Sequence, residues 1–298
     1  MNLSDAREIR QLMEEAGTGF QKKYGQNFLI NREITKRIAE QSGGQREDAV
    51  LEIGPGIGTL TQFLCEQYKK VVAVEIDAHL IPILEKTLKP YDNVTILNAD
   101  IMKADLDSLW KKHFSGMSVS VCANLPYYIT TPVLMKLLES RLPLDFITVM
   151  IQKEVADRLC ASPGTPEYGA VTVAVQYFGK IEKLFSVSAG NFLPAPKVDS
   201  TVIRIRMLKE PSVFCQEEAL FFHLVRSAFG QRRKTLKNAL SSALNDYDRD
   251  TIADAIRSVG LSPEIRGECL SLRDFANLSN VLSSRKAGPG NPKNQSGG

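Results

Sequence analysis

The sequence predicts an α/β protein, a mostly parallel seven-stranded sheet with helices on both faces, followed by a small all-α domain. Three observations carry that expectation. From residue 48 to about residue 151, short apolar runs alternate with amphipathic segments. Two further β-rich runs close the region. After Lys209-Glu210-Pro211 the β signal vanishes and only helical spacing remains.

The elements follow in order. Ser4 can cap a helix that runs to Glu15, with Ile9, Leu12 and Met13 on one face and Gly17 ending it. The loop Lys22-Lys23-Tyr24-Gly25-Gln26-Asn27-Phe28-Leu29 comes next, then a helix from Asn31 to Gln41. Strands are expected at 49–53, 70–74, 94–97, 118–123 and 146–151, with helices at 59–68, 78–88 and 132–140 between them. The sixth and seventh strands are placed at 170–178 and 198–207, on either side of the Pro-rich Phe192-Leu193-Pro194-Ala195-Pro196. Helical spacing then marks 217–229, 234–244, 249–259 and 273–282. The expected domains are 1–208, an α/β body with an N-terminal helical extension, and 209–284, a helical domain. The tail 285–298, with Gly288-Pro289-Gly290-Asn291-Pro292 and no apolar residue larger than alanine, is expected to be disordered.

Composition narrows the function classes. Five scattered cysteines without a C-x-x-C pair, and three histidines far apart, predict reduced thiols, no disulfide framework and no metal site. The apolar stretches fall short of the ~20 residues of a membrane span, and Asp5, Glu8, Glu14 and Glu15 do not suit a secretory signal. A cytoplasmic, monomeric protein is the expectation. The net charge of +3 does not by itself imply nucleic acid. Local clustering says more. Lys22-Lys23 lies near the N-terminus, and Arg232, Arg233, Lys234 and Lys237 form a cluster with no acidic residue interleaved. Phosphate contact is expected there, and a solvated helix face is the plainer alternative.

Glu52-Ile53-Gly54-Pro55-Gly56-Ile57-Gly58 puts a glycine turn directly after the first strand of the sheet. Glycines there reach positive φ and let a ligand press on bare backbone. Such turns also bind NAD and FAD, but the G-x-G-x-G spacing differs from the G-x-G-x-x-G that serves a pyrophosphate. A carboxylate at Glu52 suits an ammonium group better than a phosphate. Glu75, at the end of the second strand, can accept from both hydroxyls of a ribose. Asp100, at the end of the third, can accept from an adenine amine. A nucleotide-type ligand carrying an ammonium group, S-adenosyl-L-methionine, fits this set.

Asn124-Leu125-Pro126-Tyr127 follows the fourth strand and so lies on the same sheet edge. An adenine amine is a poor nucleophile because its lone pair is delocalised into the ring. The Asn124 side-chain oxygen and the Leu125 carbonyl can accept its two N–H groups and favour a pyramidal nitrogen. Pro126 stiffens the turn, and Tyr127 can stack on the base. Asn-x-Pro also occurs as an ordinary turn at strand–helix junctions.

With these residues in place, the sequence resembles the rRNA adenine N6,N6-dimethyltransferase family, in its small-subunit (16S) branch. The resemblance spans about Leu3 to Leu282. It rests on Tyr24-Gly25-Gln26-Asn27-Phe28-Leu29, Glu52 to Gly58, Asn124 to Tyr127, Tyr168-Gly169-Ala170, Phe192 to Ser200 and Phe229 to Leu236. It implies a Rossmann-like class I methyltransferase fold and S-adenosyl-L-methionine as cofactor. Asn27 and Leu29 would fold over that cofactor alongside Gly54, Gly56, Glu75, Asp100 and Asn124. Phe192 would face Tyr127 across a flipped-out adenine. The implied substrate is a pair of adjacent adenosines in the 3′-terminal hairpin loop of 16S rRNA, within the 30S subunit or its precursor. Tyr128-Ile129-Thr130 stands where many relatives have Asn-Ile-Ser. Pro196-Lys197-Val198-Asp199-Ser200 and the Arg232-Arg233-Lys234 stretch favour this branch over the antibiotic-resistance enzymes that modify 23S rRNA. Two other classes stand beside it. One is a ribosome-assembly or RNA-binding factor without catalysis, the other an NAD-dependent oxidoreductase, which lacks an evident acid/base residue.

Overall fold

The computed structural model describes residues 2–21 and 25–286. Lys22, Lys23 and Tyr24, and residues 287–298 of the expected disordered tail, lie outside the described residues. Arg285 and Lys286, expected in that tail, instead end the helix Leu272–Lys286. The chain divides into two compact units. The first takes the chain up to Cys160 together with Phe178–Glu210. The second takes Ala161–Tyr177 and the chain from Pro211 onward.

In the first unit the strands are β1 (Phe28–Leu29), β2 (Ala49–Ile53), β3 (Lys70–Glu75), β4 (Val94–Asn98), β5 (Val119–Asn124), β6 (Leu144–Gln152), β7 (Gly179–Val187), β8 (Phe192–Leu193) and β9 (Ser200–Met207). The helices of this unit are α1 (Ala6–Glu15), α2 (Arg32–Glu40), α3 (Thr61–Gln67), α4 (Ile81–Thr87), α5 (Leu106–His113), α6 (Thr130–Glu139) and α7 (Lys153–Leu159). The second unit holds most of α8 (Ala170–Phe178), then α9 (Glu218–Gly230), α10 (Leu236–Ser241), α11 (Arg249–Ser258) and α12 (Leu272–Lys286).

Seven strands form the sheet in the order β4-β3-β2-β5-β6-β9-β7. From β4 to β6 all pairings are parallel, while β9 runs antiparallel to both β6 and β7. A parallel sheet covered on both faces needs strands that are apolar on both sides. Every residue of β2 is buried accordingly, as are all but one in β3 and β5. Chain order reverses at β2, whose neighbours are β3 and β5. Outside the carboxyl ends of strands at such a reversal lies a crevice that binds ligands in doubly wound sheets.

The structure departs from the sequence reading in definite places. The segment 170–178, expected as a strand, is the helix α8. Thr172, Val173, Ala174, Val175, Tyr177 and Phe178 are all buried in it, so no polar face betrays the helical period and the β-branched residues mimic a strand. The missing strand is β7, an edge strand with exposed Lys180, Glu182 and Lys183 and a register shift between Lys183 and Phe185. The domain boundary moves with α8, because Ala161–Tyr177 belongs to the helical unit and not to the sheet. The cap of α1 is Asp5, which accepts from the Arg7 N–H at 2.8 Å, in place of Ser4. An ionised Asp is as good a cap as Ser and adds charge against the helix dipole. The short helices α5 and α7 had no counterpart in the sequence reading.

Candidate active site

The turn after β2 explains its glycines residue by residue. Gly54, Gly56 and Gly58 take φ of 70°, 62° and 90°, values that an L side chain adopts only under strain. A Cβ on Gly54 would meet nothing within 4 Å, so that backbone faces open space. One on Gly56 would lie 2.8 Å from the Phe28 ring. The turn is tied to the next strand by Gly54 N–H to the Val74 carbonyl at 2.9 Å, and by Gly56 N–H to Glu75 Oε2 at 3.1 Å.

Glu75 ends β3 with its other oxygen accepting from Asp77 N–H at 2.8 Å. Burial pushes its pKa up, and these two backbone donors oppose the rise. Each oxygen keeps a lone pair for a ligand. Asp100 follows β4. Its Oδ1 accepts from Met102 N–H at 2.9 Å and its Oδ2 lies 3.8 Å from Lys103 Nζ. Glu52 is buried within β2, one oxygen unpartnered, and burial with the nearby charge of Glu75 pushes its pKa up to about 8.

Asn124 ends β5. Its Nδ2 donates to the Asn27 backbone carbonyl at 3.3 Å. A carbonyl can only accept, so the amide nitrogen must take that side and Oδ1 is left for the cavity. Leu125 N–H is held by the Met150 carbonyl at 3.2 Å, while no hydrogen bond among the described residues reaches the Leu125 carbonyl. Pro126 turns the chain into α6 by accepting from Ile129 N–H at 3.1 Å. The Tyr127 hydroxyl is 3.0 Å from Ser200 Oγ on β9, which anchors the ring. Burial pushes its pKa up, with the Ser200 contact opposing, so it remains a neutral phenol at physiological pH.

The N-terminal segment closes over this edge through β1, which pairs antiparallel with β8 in the register Phe28↔Leu193 and Leu29↔Phe192. Ile30 N–H donates to the Asn191 carbonyl at 2.8 Å, and Gln26 Nε2 to Asp77 Oδ2 at 2.9 Å. One cavity of about 230 Å³ results. Its wall includes Asn27, Leu29, Glu52, Gly54, Gly56, Glu75, Asp100, Asn124, Leu125, Pro126, Tyr127 and Phe192, so every expected cofactor and catalytic residue meets there. Phe192 lines it from within the apolar core, 4% exposed beside Leu29, Met150 and Val202.

Sequence reasoning missed part of the wall. Ile76, Ile101 and Met102 follow the strand-end carboxylates and supply apolar surface for a flat ring. Their position directly after Glu75 and Asp100 was the available signal. Thr59 was overlooked because a lone threonine carries no motif. Ser200 was quoted within a family motif without a role.

The basic cluster lies in the helical unit, and one expectation about it is corrected. Its charges are not free of acids, because Glu264 and Glu268 reach it from farther along the chain. Arg232 donates to the Pro166 and Tyr168 carbonyls at 2.9 and 2.6 Å and lies 3.4 Å from Glu268. Lys237 pairs with Glu264 at 3.3 Å. Arg233 and Lys234 are exposed and make no ion pair among the described residues.

Residues 17–282 match the family described as ribosomal RNA adenine dimethylase. The chain belongs to that family. Relatives named ribosomal RNA small subunit methyltransferase A, from Bacillus mycoides and Bacillus cereus, are 46% identical over 94% of this chain and 97% of theirs. Among solved structures, a dimethyladenosine transferase from Plasmodium falciparum aligns with a TM-score of 0.73 at 28% identity, covering 86% of this chain and 97% of that one. The 23S rRNA methyltransferase ErmE aligns with a TM-score of 0.66 at 26% identity, covering 86% and 100%. The expected class I methyltransferase fold is thereby borne out. As a ribosomal RNA adenine dimethylase, the protein uses S-adenosylmethionine as its methyl donor. The residues present fit that cofactor, with open backbone at Gly54, an acceptor pair at Glu75 and an unpartnered buried carboxylate oxygen at Glu52. No helix among the described residues is long and apolar enough to cross a membrane.

Proposed function

We propose that this enzyme dimethylates the N6 amines of two adjacent adenosines in the 3′-terminal hairpin loop of 16S rRNA, acting as a cytoplasmic monomer on the 30S subunit or its precursor. The observation that carries the chemistry is the Asn124 amide, turned by the Asn27 carbonyl so that its oxygen faces the cavity. In the first transfer Asn124 Oδ1 and the Leu125 carbonyl each take one N–H of the target amine, and in the second one of them takes the single N–H that remains. This draws the nitrogen out of conjugation and aims its lone pair at the methyl donor. The cofactor supplies an electrophilic methyl on a sulfonium. Glu75 and Asp100 orient it through its ribose and adenine, and Glu52 faces its ammonium. Tyr127, fixed by Ser200, stacks on the extruded base, and Phe192 backs the opposite wall. The methylated amine becomes acidic and loses its proton to water, so no strong base is required. The small subunit is favoured over 23S rRNA by the 46% identity to small-subunit enzymes, against 26% to the 23S enzyme.

Arg233 and Lys234 of the helical unit are the residues we assign to phosphate contact, with Arg232 and Lys237 supporting them through their pairings. The test uses purified protein and labelled S-adenosylmethionine with undermethylated 30S subunits and 50S subunits offered side by side. N6,N6-dimethyladenosine should appear in 16S rRNA, and label confined to 23S rRNA would overturn the assignment.

A further inference from the structure

Three buried polar atoms without hydrogen-bond partners occur where β2, the glycine turn and α3 meet: Glu52 Oε2, Thr59 Oγ1 and Thr61 Oγ1. Buried polar groups are nearly always paired, so a group of orphans beside a cavity marks the place of an absent ligand atom. Glu52 and Thr59 line the cavity wall. The Thr61 hydroxyl lies close enough to favour the ionised form of Glu52 without closing a hydrogen bond.

Among the described residues no cation compensates the carboxylate. The titratable groups that interact with it are Glu75 on β3, Cys122 on β5 and Cys65 on α3, all of them acids. From α2 the wall receives Thr35 and Ile38, which do not titrate. No ion pair among the described residues involves Glu52. A fully buried carboxyl with acids as its titratable neighbours and neutral hydroxyls beside it takes up a proton rather than bear an unpaired charge. Its pKa of about 8 agrees with that placement.

We propose that Glu52 stands as the neutral acid until the methyl donor's primary ammonium group enters, and that one proton then leaves to solvent. The step is balanced. A carboxylic acid and a free ammonium become a carboxylate–ammonium pair, and the released proton goes to buffer. Thr59, on the cavity wall, completes the cradle as a hydroxyl acceptor for a remaining ammonium hydrogen, and Thr61 supports the ionised Glu52 from behind. This rests on the cofactor reading given above and adds to it a proton count. Cofactor capture is then coupled to pH, and a ligand without the ammonium gains nothing from Glu52.

The test is calorimetric titration of the full-length protein with S-adenosylhomocysteine, which carries the same ammonium, in two buffers of unlike ionisation heat. Net proton release is expected at pH 7, and it should shrink as pH rises through about 8. In Glu52→Gln the binding heat should no longer depend on the buffer. Wild-type binding with buffer-independent heat at pH 7 overturns the proposal while leaving the cofactor assignment intact. Absence of any binding heat overturns both. The wild-type measurement alone decides the matter should the variant fail to bind.

Discussion

The side-chain amide of Asn124 and the backbone carbonyl of Asn27 are joined across 3.3 Å. The acceptor proposed for the target amine is thus oriented by a residue far away in sequence, on the segment that closes the cofactor cavity. That segment is itself held to the Phe192 strand through β1 and β8. Cofactor enclosure and catalytic orientation therefore share one piece of chain.

The two glycines of the turn should respond differently to alanine. Both have positive φ, so each replacement strains the backbone by ~1–2 kcal/mol. At Gly54 the new methyl enters open cavity, and at Gly56 it collides with Phe28. Gly54→Ala should mainly weaken S-adenosylmethionine binding, and Gly56→Ala should lower Tm further. Melting curves with and without cofactor separate the two, and the reverse ranking would contradict the assignment of the open face.

Tyr127 has two separable parts. Tyr127→Phe loses the contact to Ser200 but keeps the ring, so kcat/KM should fall only a few-fold. Tyr127→Ala removes the stacking surface and should cost roughly 10- to 100-fold. Equal losses in steady-state assays on 30S subunits would show that the hydroxyl, not the ring, matters.

Arg232 and Arg233 are neighbours with different duties. Arg232→Ala removes two carbonyl contacts and an ion pair inside the helical unit and should destabilise it by ~1–3 kcal/mol. Arg233→Ala should leave Tm unchanged, weaken RNA binding and lower the salt slope by about one. Chemical denaturation and salt-dependent binding assays check the pair. A Tm loss confined to Arg233→Ala would refute the division.

Burial raises the folded pKa of Glu52 to about 8, against an ordinary carboxyl value of 4.5. The folded state therefore holds a proton that the unfolded state has released between those values. Its stability contribution is complete below pH 4.5 and declines as pH rises toward 8. Glu52→Gln keeps the shape without the titration. Without cofactor, its stability relative to wild type should increase by a few kcal/mol between pH 5 and pH 8. Parallel pH–stability curves for the two proteins would contradict a neutral Glu52.

Much of the fold was legible because parallel strands buried on both faces write themselves as apolar runs such as Ala49-Val50-Leu51. The same rule misled at Val171 to Val175, where a buried helix shows an apolar run too. β7 escaped because an edge strand carries lysines and a bulge. The cavity was legible where function demands a residue type at a strand end, as at Glu75, Asp100 and Asn124. Contacts between distant segments, such as Glu268 on Arg232 or Ser200 on Tyr127, have no local signature and emerge only on folding.

The most direct measurement of the central claim is single-turnover methyl transfer by Asn124→Ala, with S-adenosylmethionine affinity measured on the same preparation. At saturating cofactor, transfer should fall by at least ~100-fold, a larger loss than the loss of cofactor affinity from releasing Asn27, because the lost acceptor acts on the target amine. Near-normal turnover would contradict the acceptor mechanism at its root.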